Sequence, residues 1–179
     1  MKKCFLYTMV LPAILLGLHQ TAKGQNTTGT TTLKIRLVDA LNITVNQSEV
    51  ELAFETAGDY QAGKQVLMAN HLTVSSNQAY SLNVKAADAD LPGTASGNAA
   101  TIAANTVSVT LQSGDLGNDP TPVTLSTTDQ QLVTEATPVM NKNIDVEYAI
   151  PGTVSSTDAI LGKPADTYHT TLTYTISQD

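Results

Sequence analysis

The sequence holds 179 residues, with 9 Lys and Arg against 16 Asp and Glu and a formal charge of −7 at pH 7. Nucleic acid and anionic membrane surfaces are bound through basic patches, so both are excluded as expected partners. The one cysteine, Cys4, lies in the apolar N-terminal run, so no disulfide, thiolate metal site or cysteine nucleophile is expected beyond it.

In chain order, "MKK" supplies a basic start, Cys4 to Leu18 an apolar run, and Ala22-Lys23-Gly24 places small residues, Ala22 and Gly24, at the two positions that a signal peptidase reads. This pattern predicts a secretory signal peptide over 1–24. The apolar run is shorter than the roughly 20 residues needed to span a bilayer. Cleavage would remove Lys2, Lys3 and Lys23 and no acid, leaving the exported chain still more acidic. The expected location is secreted, periplasmic or on the outer cell surface. Residues 25–32, "QNTTGTTT", read as a mobile polar extension, and 33–179 as a single domain.

Threonine and valine dominate that domain, and β-branched side chains favour a pleated, half-buried surface. Alternating runs recur between turn residues. Leu33, Ile35 and Leu37 share a face in "LKIRLV", Leu41, Ile43 and Val45 in "LNITV", and Val50, Leu52 and Phe54 in "EVELAFE". "AGKQVLMANH" (62–71) reads equally as a helical turn, strand or loop. "HLTVS" is a short run that turns through 75–78 into "AYSLNVKA", where Tyr80, Leu82 and Val84 align. "TVSVTL", "PVTLS", "QQLVTEA" and "NIDVEYAI" follow, the last aligning Ile144, Val146 and Tyr148. Residues 86–105 and 113–121 read as long loops. "YHTTLTYTIS" then closes the series with Tyr168, Thr170, Leu172, Tyr174 and Ile176 on one side. About nine one-faced strands without a helical period predict an all-β, antiparallel β-sandwich of immunoglobulin-like or pilin-like topology. Leu172, Tyr174 and Ile176 are expected to face inward with Ile144, Val146 and Tyr148, and His169, Thr171 and Thr173 outward.

Catalytic signals are absent from the pattern. His71 and His169 stand in no recognised motif and read as surface or edge residues, and no phosphate loop, zinc-protease or nucleophile-elbow motif occurs. A non-enzyme without a cofactor is expected. Asp88, Asp90, Asp115, Asn118 and Asp119 sit on loops whose oxygens suit calcium, although turns favour the same residues. Tyr60, in "AGDYQAG", is the tyrosine expected to be exposed, and the chain lacks the tryptophan common in sugar platforms.

Residues 54–86 and 148–177 carry a "DYxxG" turn, an "LTVxSNxxYxLxVKA" hairpin and a "kPAgtYxxTLTYT" ending. In these segments the chain resembles exported bacterial β-sandwich surface proteins of uncharacterised function, of the sort common in Bacteroidetes. It is similar, more loosely, to WxL-like surface domains and to fimbrial or pilin subunits. It lacks the W-x-L tryptophans, a penultimate tyrosine and a cysteine pair, so cell-wall binding by the W-x-L route does not carry over. The resemblance implies export and a sandwich fold.

Two functional readings follow. The first is a non-catalytic structural or adhesive surface protein, a fimbrial-type subunit that assembles by β-strand addition. Its assembly strands would be Leu33, Ile35 and Leu37 at one end and Leu172, Tyr174 and Ile176 at the other, paired within one chain or between chains. The alternative is a secreted or periplasmic glycan- or ligand-binding module.

Overall fold

The computed structural model describes residues 27–112, 116 and 120–179. The expected signal peptide and two of the four candidate calcium aspartates, Asp115 and Asp119, lie outside the described residues. The chain divides into two compact units, Met1–Arg36 and Leu37–Asp179. In the first, the described residues carry no regular secondary structure.

The second unit is all-β and antiparallel. Its elements are β1 (Leu41–Val45), α1 (Ala57–Ala62), β2 (Gly63–Ser76), β3 (Tyr80–Ala86), β4 (Asp90–Pro92) and β5 (Thr101–Ala103). A 3-10 turn (Ala104–Thr106) leads into β6 (Ser108–Leu111), β7 (Val123–Thr124), β8 (Gln130–Ala136), β9 (Val139–Pro151), α2 (Gly152–Ser155) and β10 (Leu172–Gln178). One sheet has the order β1-β2-β9-β6-β7, a second β10-β3-β8, and β4 and β5 form a two-stranded ribbon. Side chains of both larger sheets share one core: Leu72, Val74, Val109, Ile144 and Val146 from the first, Leu82, Val84 and Leu132 from the second. Period two accounts for this, since alternate residues of each strand face one side.

Several expected strands changed extent or failed to pair. Among the described residues Leu33 to Val38 joins no ladder, and Leu33, Ile35 and Leu37 are 83%, 78% and 85% exposed. Alternation supplies an apolar face, but a strand also needs a neighbour's backbone. Residues 49–55 likewise form no strand, although Val50, Leu52 and Phe54 pack against the core as their spacing implies. In β1 only Ile43 packs inward; Leu41 and Val45 stay exposed. The segment of open assignment becomes the first half of β2, which runs fourteen residues. The presumed loop at 86–105 contains β4 and β5.

Both short helices sit at one end of the β2–β9 ladder and pack together. Thr56 caps α1, its side chain accepting from Asp59 N–H while Asp59 accepts from Thr56 N–H, a capping box. Gly63 ends α1 at φ +85°, and a Cβ there would sit on the carbonyl oxygen of Ile150. This crossing therefore requires glycine.

Burial ranks the strands energetically. Leu82 and Ile144 are fully buried, whereas Leu172, Tyr174 and Ile176 face inward but stay half-buried. The expected inward register of β10 is thus observed, and it includes contact between Tyr174 and Tyr148. We predict that Leu82→Ala or Ile144→Ala lowers stability by about 2–5 kcal/mol, and that Leu172→Ala and Ile176→Ala cost the isolated chain less. Urea midpoints at unchanged m-value measure the difference; equal costs would show that β10 is fully covered.

Candidate functional site

β10 is the outermost strand of its sheet. It pairs antiparallel with β3 from Leu172↔Ala86 to Gln178↔Tyr80, and no strand is paired to its other edge among the described residues. β1, the outermost strand of the other sheet, packs beside it. Gln178 bridges the two, its Nε2 donating to Asn77 Oδ1 at 3.0 Å and Ala40 O at 3.4 Å. At this seam two strands each present a backbone edge without a ladder, the arrangement that accepts an added strand. The outward residues Thr173, Thr175 and Ser177 are exposed and uncharged, so no charge repels one.

The assembly residues expected from sequence are therefore placed unequally. Leu172, Tyr174 and Ile176 form the inner face of the seam. Leu33, Ile35 and Leu37 form an exposed, unpaired segment, and the ladder of β10 is with β3 instead.

Beneath the seam lies a cluster that sequence reading missed. His71 was expected at the surface or an edge; it is 3% exposed. The cause is a bulge. Between the pairs Met68↔Val146 and Leu72↔Ile144, β2 has three residues where β9 has only Asp145. Asn70 takes a left-handed φ of 52°, and its N–H donates to Asp145 Oδ1 at 2.6 Å. The extra length lets His71 turn into the interior beside Leu72. An asparagine before the histidine was the one sequence signal, since asparagine tolerates this conformation.

The hydrogen-bond roles follow from the chemistry. The Gln47 amide oxygen only accepts, so His71 Nδ1 donates to it at 2.9 Å. Nε2 of the neutral ring then accepts from Tyr148 O–H at 3.0 Å, and the Tyr148 oxygen accepts from Tyr174 O–H. The histidine ring meets both tyrosine rings edge-on. Burial lowers the pKa of His71 and raises that of Tyr148 to about 12, the latter partly offset by the Tyr174 hydrogen bond. Tyr174 is also pushed far up, first by burial and then by Tyr148. Tyr80, also buried, has no partner for its hydroxyl among the described residues. The wired tyrosines are the two that join the sheets.

The residues before β10 tie down a loop instead of extending the strand, which is why it begins at Leu172 and not Tyr168. Tyr168 forms an isolated bridge with Gly93. The Asp166 carboxylate accepts from Asn98 Nδ2 (2.6 Å), Ala95 N–H (2.9 Å), Thr94 Oγ1 (2.8 Å) and Thr167 N–H (2.7 Å). Asn98 and Ala95 lead in holding its pKa down, to about 2.

The remaining candidates do not converge. Asp88 Oδ2 accepts from Thr170 Oγ1 at 3.0 Å, and Asp90 lies exposed on β4. Among the described residues no three His, Cys, Asp or Glu side chains gather at one point. His169 is exposed. Tyr60, expected to be exposed, is half-buried, tilted 46° against Phe54 on a shallow groove shared with Glu55, Gln61 and Leu161. No helix among the described residues is long and apolar enough to cross a membrane. No protein-family model matches the chain, and no curated protein matches it.

The Asp166 tie makes an acid-dependence prediction. Its folded pKa lies below the ordinary 3.8, so its contribution is present above pH 3.8 and is lost as pH falls through about 2. The stability difference between wild type and Asp166→Asn, followed by urea denaturation, should shrink as pH falls from 5 to 2. A difference that stays constant would contradict a role for the carboxylate charge.

Proposed function

We propose that this is a non-catalytic structural subunit, exported to the periplasm or outer surface, that assembles by β-strand addition between copies. In this reading the two sheets form a pilin-like sandwich whose open side is the seam between β10 and β1. The observation that carries it is the incomplete burial of a correctly facing strand: Leu172, Tyr174 and Ile176 point inward yet are only partly buried. A further strand with an apolar alternate face would cover them and pair the free edge of β10.

The chain carries such a segment. Leu33 to Val38 spans six residues against the seven of β10, alternates leucine and isoleucine with Lys34 and Arg36, and joins no ladder among the described residues, its one side-chain tie being Asn77 Nδ2 donating to Val38 O at 3.0 Å. Placed on a second copy, its Leu33, Ile35 and Leu37 would enter the seam while the two cations stay in solvent. Each donated strand would gain a ladder and apolar burial together, the two terms that strand addition relies on.

The glycan-binding alternative centres on Phe54 and Tyr60. Their rings tilt against each other, and a sugar stacks best on a flat exposed ring. Strand addition has the stronger support.

The test is removal of residues 27–36 from the chain beginning at residue 25. The longer chain should form concentration-dependent oligomers in light scattering, and the shortened chain should stay folded and monomeric. A synthetic peptide of residues 27–40 should bind the shortened chain. Monomers at every concentration for the longer chain, or undiminished association of the shortened one, would overturn the proposal.

A further inference from the structure

The His71 cluster has a consequence for the same seam. Tyr174, at the middle of β10, is hydrogen-bonded to the interior of the opposite sheet through Tyr148 and His71; at the strand's end Gln178 Nε2 also donates to buried Ser76 Oγ of β2 at 3.4 Å. We propose that His71, Tyr148 and Tyr174 form an acid-released latch that fastens the edge strand β10 to the opposite sheet and so controls access to the seam. The control of assembly rests on the strand-addition reading; the latch itself does not.

In the neutral cluster every hydrogen has a direction: Tyr174 donates to Tyr148, Tyr148 to His71 Nε2, and His71 Nδ1 to Gln47. Gln47 Nε2 continues to Ala69 O at 3.2 Å. Protonation makes both ring nitrogens donors. Nε2–H then points at the Tyr148 oxygen, and the Tyr148 hydrogen loses its acceptor. Tyr148 can recover one only by turning towards Tyr174, whose own hydrogen must then leave the chain of bonds. A buried donor without a partner is costly, and the cheapest escape lies where the cluster meets the half-exposed strand.

The surroundings do not stabilise an imidazolium. β9 offers the phenol of Tyr148 and, on the outer side of the bulge, Asp145, whose carboxylate is engaged with Asn70 N–H. The segment after β1 offers the neutral amide of Gln47, and β10 the phenol of Tyr174. Burial accordingly lowers the pKa of His71 below its ordinary 6.5. The unfolded chain therefore takes the proton first. Stability is complete above pH 6.5 and falls as pH drops from there towards the folded value, by at most about tenfold in the folding equilibrium per pH unit.

The experiment uses the chain from residue 25 onward at concentrations where it is monomeric. Amide exchange of residues 172–178 is compared at pH 7.5 and 5.0 after correction for the intrinsic rate, in wild type and in Tyr174→Phe. The latch predicts severalfold faster exchange of β10 in acid for the wild type, with β9 amides unchanged. In Tyr174→Phe the strand should exchange fast at both pH values. Nitrogen chemical shifts at pH 7.5 should show His71 with hydrogen on Nδ1 and a bare Nε2. An acid-insensitive β10 in the wild type, a retained acid response in Tyr174→Phe, or the opposite tautomer would each overturn it. A chain that loosens in acid but never associates keeps the latch and removes the assembly reading; a chain that associates with an acid-insensitive β10 does the reverse.

Discussion

Among the described residues the last strand of this domain is paired in a ladder along one side only, and much of the rest of the molecule is arranged around that fact. An edge strand has half its backbone groups directed at solvent or at whatever comes beside it. Here the edge is also the rim of the core, because the inward side chains of β10 are not completely covered. Natural sheets commonly blunt such edges with charge, proline or a bulge. β10 carries none of these among its seven residues, only threonines and a serine on its outer face. The absence of a blunting device fits an edge meant to be paired.

What keeps this strand in place is a combination of its ladder with β3, the Gln178 bridge to Asn77 and Ala40, and the tyrosine pair under its middle. The pair depends in turn on a local irregularity in the middle of β2. Without the three-against-one bulge at residues 69–71, His71 would follow the alternation of β2 outwards, and Tyr148 would have lost its acceptor. A deviation from regular pairing on one sheet thus positions a side chain that secures the edge of the other. The loop anchored by Asp166 and Tyr168 sets where β10 begins, so the strand is fixed at its start, middle and end.

Alternation made much of this legible from sequence. The inward register of Leu172, Tyr174 and Ile176 and the core faces of β3, β6 and β9 follow from period two alone. Three things did not follow. Alternation cannot show whether a strand finds a partner, so Leu33 to Val38 and the run at 49–55 looked no different from β3. It cannot place a bulge: the two extra residues leave Met68 and Leu72 on the same inward parity, but inside the bulge His71 departs from the alternation, and it was misplaced for that reason. Nor does it weigh loop chemistry: Tyr168 read as the start of the closing strand, yet it and Asp166 are occupied in holding residues 93–98. The seam was half-visible in advance as a terminal strand in need of a neighbour. The cluster beneath it was not, since its members come from three strands and the segment after β1.

The central claim is that the unpaired edge of β10 accepts residues 33–38 of another copy. Site-directed cross-linking between two chains tests it most directly, because the sequence from residue 25 onward has no cysteine of its own. One chain carries Lys34→Cys, on the solvent side of the donated segment, and the other Thr175→Cys, on the outer face of β10. A second acceptor carries Thr124→Cys on β7, the far edge of the larger sheet. The account predicts rapid oxidation to a mixed dimer with the β10 variant and little with the β7 variant. Equal cross-linking to both edges, or none to β10, would contradict it.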